Sequence, residues 1–390
     1  MLHQVDAVPA LALGEGAIRA VPAEAARLAP GAAVLAVVDP ALADGPLASG
    51  LVQGLAEAGL RPRLHAPPPG EPKADGIAEA ADAARAAGAG LILGFGGGSA
   101  LDLAKMTAVC ACPGEAADPM AYALAARPLA RALPKILIPA TAGTGAEAAS
   151  TCVYAAPDGR KTWAWGPAAK PALAVLDPEA TATLPAHLTA WCALDAFVHA
   201  FEAATNRNAH AGAQTHAHAA LRLVAENLEA ALDPAPASSP VGAGAAEARQ
   251  ALLLGAFHAG VAIDACSTAL AHNLSHALAG LAPVHHGLAT ALAFERTLPW
   301  LAEAPTPALH AAARALGLAG AEAAPAFVSA LMDRAGIERR LPEAFAGASP
   351  DALAAEALRP ENAPMRAASS RDAGEADLRR FAEELLALAP

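Results

Sequence analysis

Leu91-Ile92-Leu93-Gly94-Phe95-Gly96-Gly97-Gly98-Ser99, running on into Ala100–Cys110, is an apolar run, a glycine turn and then a helical stretch. An unbroken apolar run bounded by turn signals is the mark of a strand covered on both faces. A strand that feeds a helix through such a turn is half of a parallel βαβ unit. The same alternation continues outward. Ala33–Val38 is a second continuous apolar run, ending at Asp39-Pro40, and 47–59 follows as an amphipathic helix. Pro62–His65 reads as a short strand, Pro67–Pro72 as a loop and 76–87 as an Ala-rich helix. Upstream, Leu13-Gly14-Glu15-Gly16-Ala17 is a turn before a helix around 22–29. Downstream, the strand Lys135–Ile138 leads into Pro139-Ala140-Thr141-Ala142-Gly143-Thr144-Gly145-Ala146-Glu147. Strands alternating with helices predict a parallel sheet with helices on both faces.

After about residue 180 the patterns become helical, with Thr183-Leu184-Pro185 at the change. The expected organisation is an α/β dinucleotide-binding domain over 1–182 and an all-α domain over 183–390. Within the second, Asp233–Gly244 reads as an exposed Pro/Ser/Gly loop, 350–370 as an irregular stretch with Pro350, Pro360 and Pro364, and Asp377–Leu388 as a closing helix.

Composition narrows the function. The chain is 55% hydrophobic, 4% aromatic and rich in alanine, a strong helix former, and its net charge is −12 from 26 basic and 38 acidic residues. There is no basic run, which argues against nucleic acid as a partner. No apolar run is long enough to span a bilayer, and the first residues lack a cationic leader. Five sparse cysteines suit a reduced, cytoplasmic protein.

The second half carries residues of metal-ligand type at helical spacing. Asp195 and His199 stand at i and i+4, sharing a helix face with Cβ atoms about 5–6 Å apart, and His272 and His276 repeat the spacing. Pro283 and Gly287 imply a bend that could bring His285 or His286 back toward that helix. One carboxylate among imidazoles on apolar helices is what a divalent transition metal needs. His187, His210, His216, His218 and His258 read instead as surface or internally satisfied histidines. The His216-x-His218 spacing points around a helix, not along it.

The glycine turns suggest the other ligand. Gly96, Gly97, Gly98 and Ser99 let the backbone approach a pyrophosphate at a helix N-terminus. Asp39, at the end of an early strand, would accept ribose hydroxyls and repel a 2′-phosphate, favouring NAD over NADP. Thr141 and Thr144 offer hydroxyls to the same crevice.

Taken in order, these motifs resemble the iron-containing (group III) alcohol dehydrogenase family over nearly the whole chain. The resemblance rests on Gly96-Gly97-Gly98-Ser99-x-x-Asp102-x-x-Lys105, Thr141-Ala142-Gly143-Thr144-Gly145-x-Glu147, Asp177-Pro178, Leu184-Pro185, Asp195-x-x-x-His199-Ala200-x-Glu202, Ala271-His272-x-x-x-His276 and His286-Gly287. It implies a Rossmann-like N-terminal domain with a parallel sheet and an all-α metal-binding domain, the dehydroquinate synthase-like architecture. It also implies NAD(P)-linked interconversion of a small alcohol and its carbonyl compound in the cleft between them. Carried over, Asp195, His199, His272 and His286 are the ligands of a divalent metal, Fe²⁺ first, with Zn²⁺ or Mn²⁺ also admissible. His276 is the proton-transfer residue. Asp39, Gly96, Gly97, Gly98, Ser99, Thr141, Thr144, Lys161 and Leu184 fall at cofactor positions, Thr151 and Ile263 at substrate-pocket positions. The implied assembly is a homodimer.

The chain departs from the pattern at Ala146, Ala193, His285 and in Pro69-Gly70-Glu71-Pro72. A metal-independent branch, the maleylacetate reductases, lacks the ligand Asp that stands here as Asp195. A dehydroquinate synthase-like lyase would need more basic residues for its phosphorylated substrate. Arg160, Lys161 and Lys170 with Trp163 and Trp165 could favour an anionic tail, but a solvated hairpin with one cofactor-contacting lysine is the expected form.

Overall fold

The computed structural model describes residues 7–232 and 243–390. Its strands are β1 (Ala10–Leu13), β2 (Ala33–Val38), β3 (Arg61–His65), β4 (Ala89–Gly96), β5 (Lys135–Pro139), β6 (Thr151–Ala155), β7 (Lys161–Trp165) and β8 (Leu173–Leu176). Six of them form one sheet in the order β1-β8-β5-β4-β2-β3, with every neighbouring pair parallel. The helices α1 (Val21–Leu28), α2 (Pro46–Glu57), α3 (Ala74–Ala87) and α4 (Gly98–Cys110) supply its connections.

The unbroken apolar runs are explained by the two faces. On β2, Val34, Ala36 and Val38 pack with α1 and α2, while Leu35 and Val37 pack with α3 and α4. Each face of one strand thus feeds a separate core, so no position is left for a polar residue. The glycine turn is also tighter than expected. α4 starts at Gly98, two residues earlier than Ala100, with Gly97 as its N-cap.

β2 and β4 are neighbours, and from them the chain moves outward in opposite directions, to β3 on one side and β5 on the other. Their carboxyl ends therefore flank the point where strand order reverses, the place where open α/β sheets hold ligands.

β6 and β7 form a separate antiparallel hairpin. From Ala186 onward the chain is helical: α5 (Ala186–Thr205), α6 (Ala211–Leu232), α7 (Ala243–Cys266), α8 (Leu270–Leu281), α9 (His286–Ala302), α10 (Pro307–Ala315), α11 (Ala324–Arg334), α12 (Pro350–Ala357), α13 (Ala363–Ala368) and α14 (Glu375–Leu386). α5 is buried along most of its length and lies at the centre of this half. Among the described residues no single helix is long and apolar enough to cross a membrane.

One expectation fails. The stretch 350–370 is not irregular but carries α12 and α13. Its prolines fall in first turns, where the missing N–H costs nothing, and the Ser349 hydroxyl caps α12 by accepting from the Ala352 amide. Of the expected 233–244 loop, residues 233–242 lie outside the described residues, and Ala243 and Gly244 already belong to α7.

Candidate metal centre and cleft

α5 places Asp195 and His199 one turn apart on a buried face, α8 brings His272 against them, and the turn after α8 delivers His286 as the first residue of α9. One ligand atom from each of these residues lies within 4.8 Å of all the others. Asp195 Oδ1 is 3.5 Å from both His272 Nε2 and His286 Nε2, and Asp195 Oδ2 is 3.8 Å from His199 Nδ1. The rings of His199 and His272 stack at 4.2 Å. Gly287 is required beside them, since a Cβ there would collide with the Trp191 carbonyl and come 3.5 Å from the Asp195 Cβ.

The arrangement leaves polar atoms without partners where that is costly. Asp195 Oδ1, His199 Nδ1 and His272 Nε2 are buried, and none makes a hydrogen bond among the described residues. Buried polar groups in native proteins are nearly always satisfied. Three orphans facing one point, with carboxylate and imidazole as the donors, fit a divalent cation bound there.

The surrounding groups orient this set. Glu202 accepts from the Ala269 amide at 2.6 Å, the Ala271 amide at 2.7 Å and His272 Nδ1 at 2.6 Å. That fixes the His272 tautomer and leaves its Nε2 lone pair directed at the cluster, as carboxylates behind metal-binding histidines do. Behind His286, Ser275 Oγ lies 3.2 Å from Nδ1 and accepts from Thr290 Oγ1 at 2.9 Å.

Electrostatics keep Asp195 ionised and two of the three imidazoles neutral. Burial opposes ionisation of Asp195, but the neighbouring His199, His286 and His272 outweigh it and hold its carboxyl well below the usual range. Burial pushes His199 down to about 4 and His286 down to about 3, so both offer lone pairs at neutral pH. For His272, burial is outweighed by the carboxylates of Glu202 and Asp195, which hold it up at about 9. Binding a cation there would release that proton.

These side chains open onto a cavity of about 640 Å³. Gly98, Ser99 and Thr144 line it from the glycine turns, and Thr151, Lys161 and Ile263 line it further on. His276 faces it too, with its ring 5.6 Å from that of His286, and burial lowers its pKa well below the ordinary value. Asp39, Gly96, Gly97 and Thr141 are not on that cavity wall but adjoin it. A Cβ on Gly96 would come 2.6 Å from Asp39 Cβ, and one on Gly97 would come 3.5 Å from Thr141 Cγ2. Leu184 also lies off the cavity, half-buried, its amide donating to the Thr181 carbonyl. His285 caps α9 and packs on Trp191 at 4.9 Å, outside the cluster.

The glycine turn after β5 touches the helical half directly. Gly145, in the left-handed region at φ +62°, lies so close to α7 that a Cβ would be 2.6 Å from the Gly260 Cα. Next to it, fully buried Lys105 donates to Asp102 at 3.0 Å, the Ala146 carbonyl at 2.9 Å and the Thr151 carbonyl at 2.5 Å, tying α4 to this turn and to the hairpin.

Several of these roles escaped the sequence reading. Glu202 was part of a motif without a role, although Asp195, His199 and Glu202 recur at i, i+4 and i+7 along one helix face. Ser275 and Asp264 gave no signal. The charged segment near Arg160 is a hairpin, but not a solvated one. One face is core and Lys170 is bound to Asp264 at 2.7 Å.

A parallel sheet followed by a helical half, with such a cluster where the two meet, defines the dehydroquinate synthase-like class of fold. Family models narrow it. Residues 9–178 match iron-containing alcohol dehydrogenase, and residues 189–370 match the C-terminal part of the Fe-containing alcohol dehydrogenase family. The chain belongs to the iron-containing alcohol dehydrogenase family. It is 32% identical over 259 residues to the probable alcohol dehydrogenase EutG of Escherichia coli (strain K12), a match covering 66% of this chain and 62% of that protein. It is 30% identical to long-chain-alcohol dehydrogenase 1 of Geobacillus thermodenitrificans, over 73% of this chain and 70% of that one. The crystal structure of sulfoacetaldehyde reductase from Bifidobacterium kashiwanohense in complex with NAD⁺ has the same fold, with a TM-score of 0.85, 20% identity, and 99% of each chain covered.

Proposed function

We propose that the chain is a metal-dependent, NAD(P)-linked oxidoreductase that interconverts a small alcohol and its aldehyde or ketone. The observation that carries this reading is the set of buried, unpartnered atoms on Asp195, His199 and His272, gathered with His286 on a cleft shared with two glycine turns. Asp195, His199, His272 and His286 would hold one divalent cation, Fe²⁺ by family, with Zn²⁺ and Mn²⁺ also suited to the donor set. Such a cation would supply Lewis acidity toward the substrate oxygen, and a nicotinamide cofactor seated on the glycine turns would supply the hydride chemistry.

The remaining steps belong to the chain. Glu202 keeps the His272 lone pair aimed inward, and Ser275 does the same for His286. His276, neutral because it is buried, takes up or releases the proton at a ring nitrogen. Gly96, Gly97, Gly98 and Ser99 seat the cofactor phosphates against the N-terminus of α4. Thr141, Thr144, Lys161 and Leu184 complete that contact. Asp39 accepts the ribose hydroxyls and selects NAD over NADP. Thr151 and Ile263 bound the substrate. The division into a dinucleotide-binding domain (1–182) and a metal-binding domain (183–390) is part of the proposal. So is a cytoplasmic homodimer, supported by free thiols at all five cysteines and by Leu11 and Leu13, 36% and 48% exposed on edge strand β1.

The test is anaerobic loading with Fe²⁺, followed by NADH and NADPH absorbance on adding a panel of aldehydes. Consumption of NADH is expected, with NADPH weaker. Absorbance that stays unchanged across the panel overturns the reading, and turnover that survives complete metal removal overturns the role of the cation.

A further inference from the structure

One wall of the cleft is the β6–β7 hairpin, and its alternation decides what that wall is made of. Thr151 pairs with Trp165, Val153 with Trp163 and Ala155 with Lys161. Successive residues of a strand point to opposite faces. Cys152, Tyr154, Thr162 and Ala164 are accordingly buried on one side, while Thr151, Val153, Lys161, Trp163 and Trp165 line the cavity on the other. Ile263, Pro364 and Met365 extend the apolar surface from the helical half. Two indoles and these side chains form a large apolar wall.

The charges on that wall are already committed. Lys161, the cation of the lining among the described residues, is held by Glu71 at 3.0 Å. Arg160 turns away to Asp158 at 2.7 Å, and Lys170 is bound to Asp264 at 2.7 Å and to the Ala7 carbonyl at 3.2 Å. The carboxylates that reach the cavity are held in turn: Asp102 by Lys105 and the Val153 amide, Asp264 by Lys170 and Ser150, Glu361 by Arg359 at 3.7 Å. A carboxylate, sulfonate or phosphonate tail would have to break an existing ion pair and lie against indole. An alkyl or aryl tail displaces only water.

Resting on the dehydrogenase reading of the cleft, we infer that the substrate is an alcohol or aldehyde with an uncharged, apolar tail. Its alkyl chain of several carbons, or its aryl ring, lies against Trp163 and Trp165, and acids of the same length are rejected.

The experiment measures kcat/KM of the Fe²⁺-loaded enzyme with NADH for acetaldehyde, butanal, pentanal, hexanal, benzaldehyde and succinic semialdehyde. It also follows tryptophan fluorescence as the loaded enzyme is titrated with 1-hexanol or 4-hydroxybutanoate without cofactor. Each added methylene should raise kcat/KM roughly threefold. Succinic semialdehyde should fall on the order of 100-fold below pentanal. 1-Hexanol should change the fluorescence saturably and 4-hydroxybutanoate should bind at least tenfold more weakly, as roughly expected for an unpaired charge. Trp163→Ala should cut the hexanal-to-acetaldehyde ratio about tenfold. Glu71→Gln, at an exposed position, should raise succinic semialdehyde relative to pentanal about tenfold by releasing Lys161. A flat chain-length profile, or an acid that binds or turns over as well as its neutral counterpart, overturns the inference and leaves the dehydrogenase reading standing. Absent NADH consumption with every aldehyde overturns that reading, while the fluorescence titration still decides the tail.

Discussion

His216 on α6 and His258 on α7 bring their Nδ1 atoms to 2.9 Å, with rings 5.1 Å apart. His199, His272 and His286 crowd just as closely on α5, α8 and α9, but with Asp195 among them. In the first group one imidazole donates and the other accepts, so the pair is closed upon itself. In the second, a nitrogen of His199, a nitrogen of His272 and an oxygen of Asp195 face one another with nothing to bond to, while Glu202 and Ser275 grip the rings from behind. Crowded imidazoles alone therefore do not mark a site. What marks one is donor atoms left open on the inside and fixed from the outside.

The largest expected effect separates the two groups outright. His272→Ala should abolish metal retention and lower kcat/KM about a thousandfold, the several kcal/mol that a metal contributes at a reacting oxygen. Metal content by elemental analysis and NADH-linked turnover check it. Full activity in a metal-free His272→Ala protein would show that the open donors serve no cation.

How much of this could be read from the chain depends on how local each signal was. Strands β2 and β4 are legible because both faces are buried, leaving unbroken apolar runs. β1 and β8 each span only four residues and carry no pattern of their own. The β6–β7 hairpin was expected, but as a solvated one, because its cleft face mixes Lys161 with Trp163 and Trp165 and conceals that Cys152, Tyr154 and Ala164 on the other face are core. In the candidate centre, Asp195 and His199 were visible through i,i+4 spacing, and Glu202 completed the same face one turn on. Ser275 acts on a residue 11 positions away and Asp264 on one 114 away, so no spacing rule reaches them. The prolines of 350–364 misled because a first-turn proline and a helix-breaking proline look the same until the helix start is known.

The groups that grip the rings from outside give smaller effects. Glu202→Gln keeps the shape but replaces a charged acceptor by an amide, and should weaken metal affinity about 10- to 100-fold. Ser275→Ala removes a neutral partner of the more exposed His286 and should cost less, about three- to tenfold. Competition against a chelating dye measures both. Equal losses in the two variants would mean that burial, not the carboxylate, sets the orientation.

The smallest effect concerns the closed pair. His216 is held below its ordinary pKa by burial, and His258 by burial and then by His216 itself. In the unfolded chain both titrate near 6.5. Between that value and the lower folded ones the unfolded chain binds more protons, so the pair's contribution to stability is complete above about 6.5 and is lost as pH falls below it. A His216→Gln/His258→Gln protein should therefore differ from the parent by less than about 1 kcal/mol at pH 7.5, the net worth of one half-buried hydrogen bond. Its denaturation midpoint should fall less steeply between pH 7 and 5, and its metal content should be unchanged. Parallel slopes for the two proteins would mean that the pair does not titrate in this range. Loss of metal from the double variant would erase the distinction between the two groups, because the closed pair would then be supporting the open one.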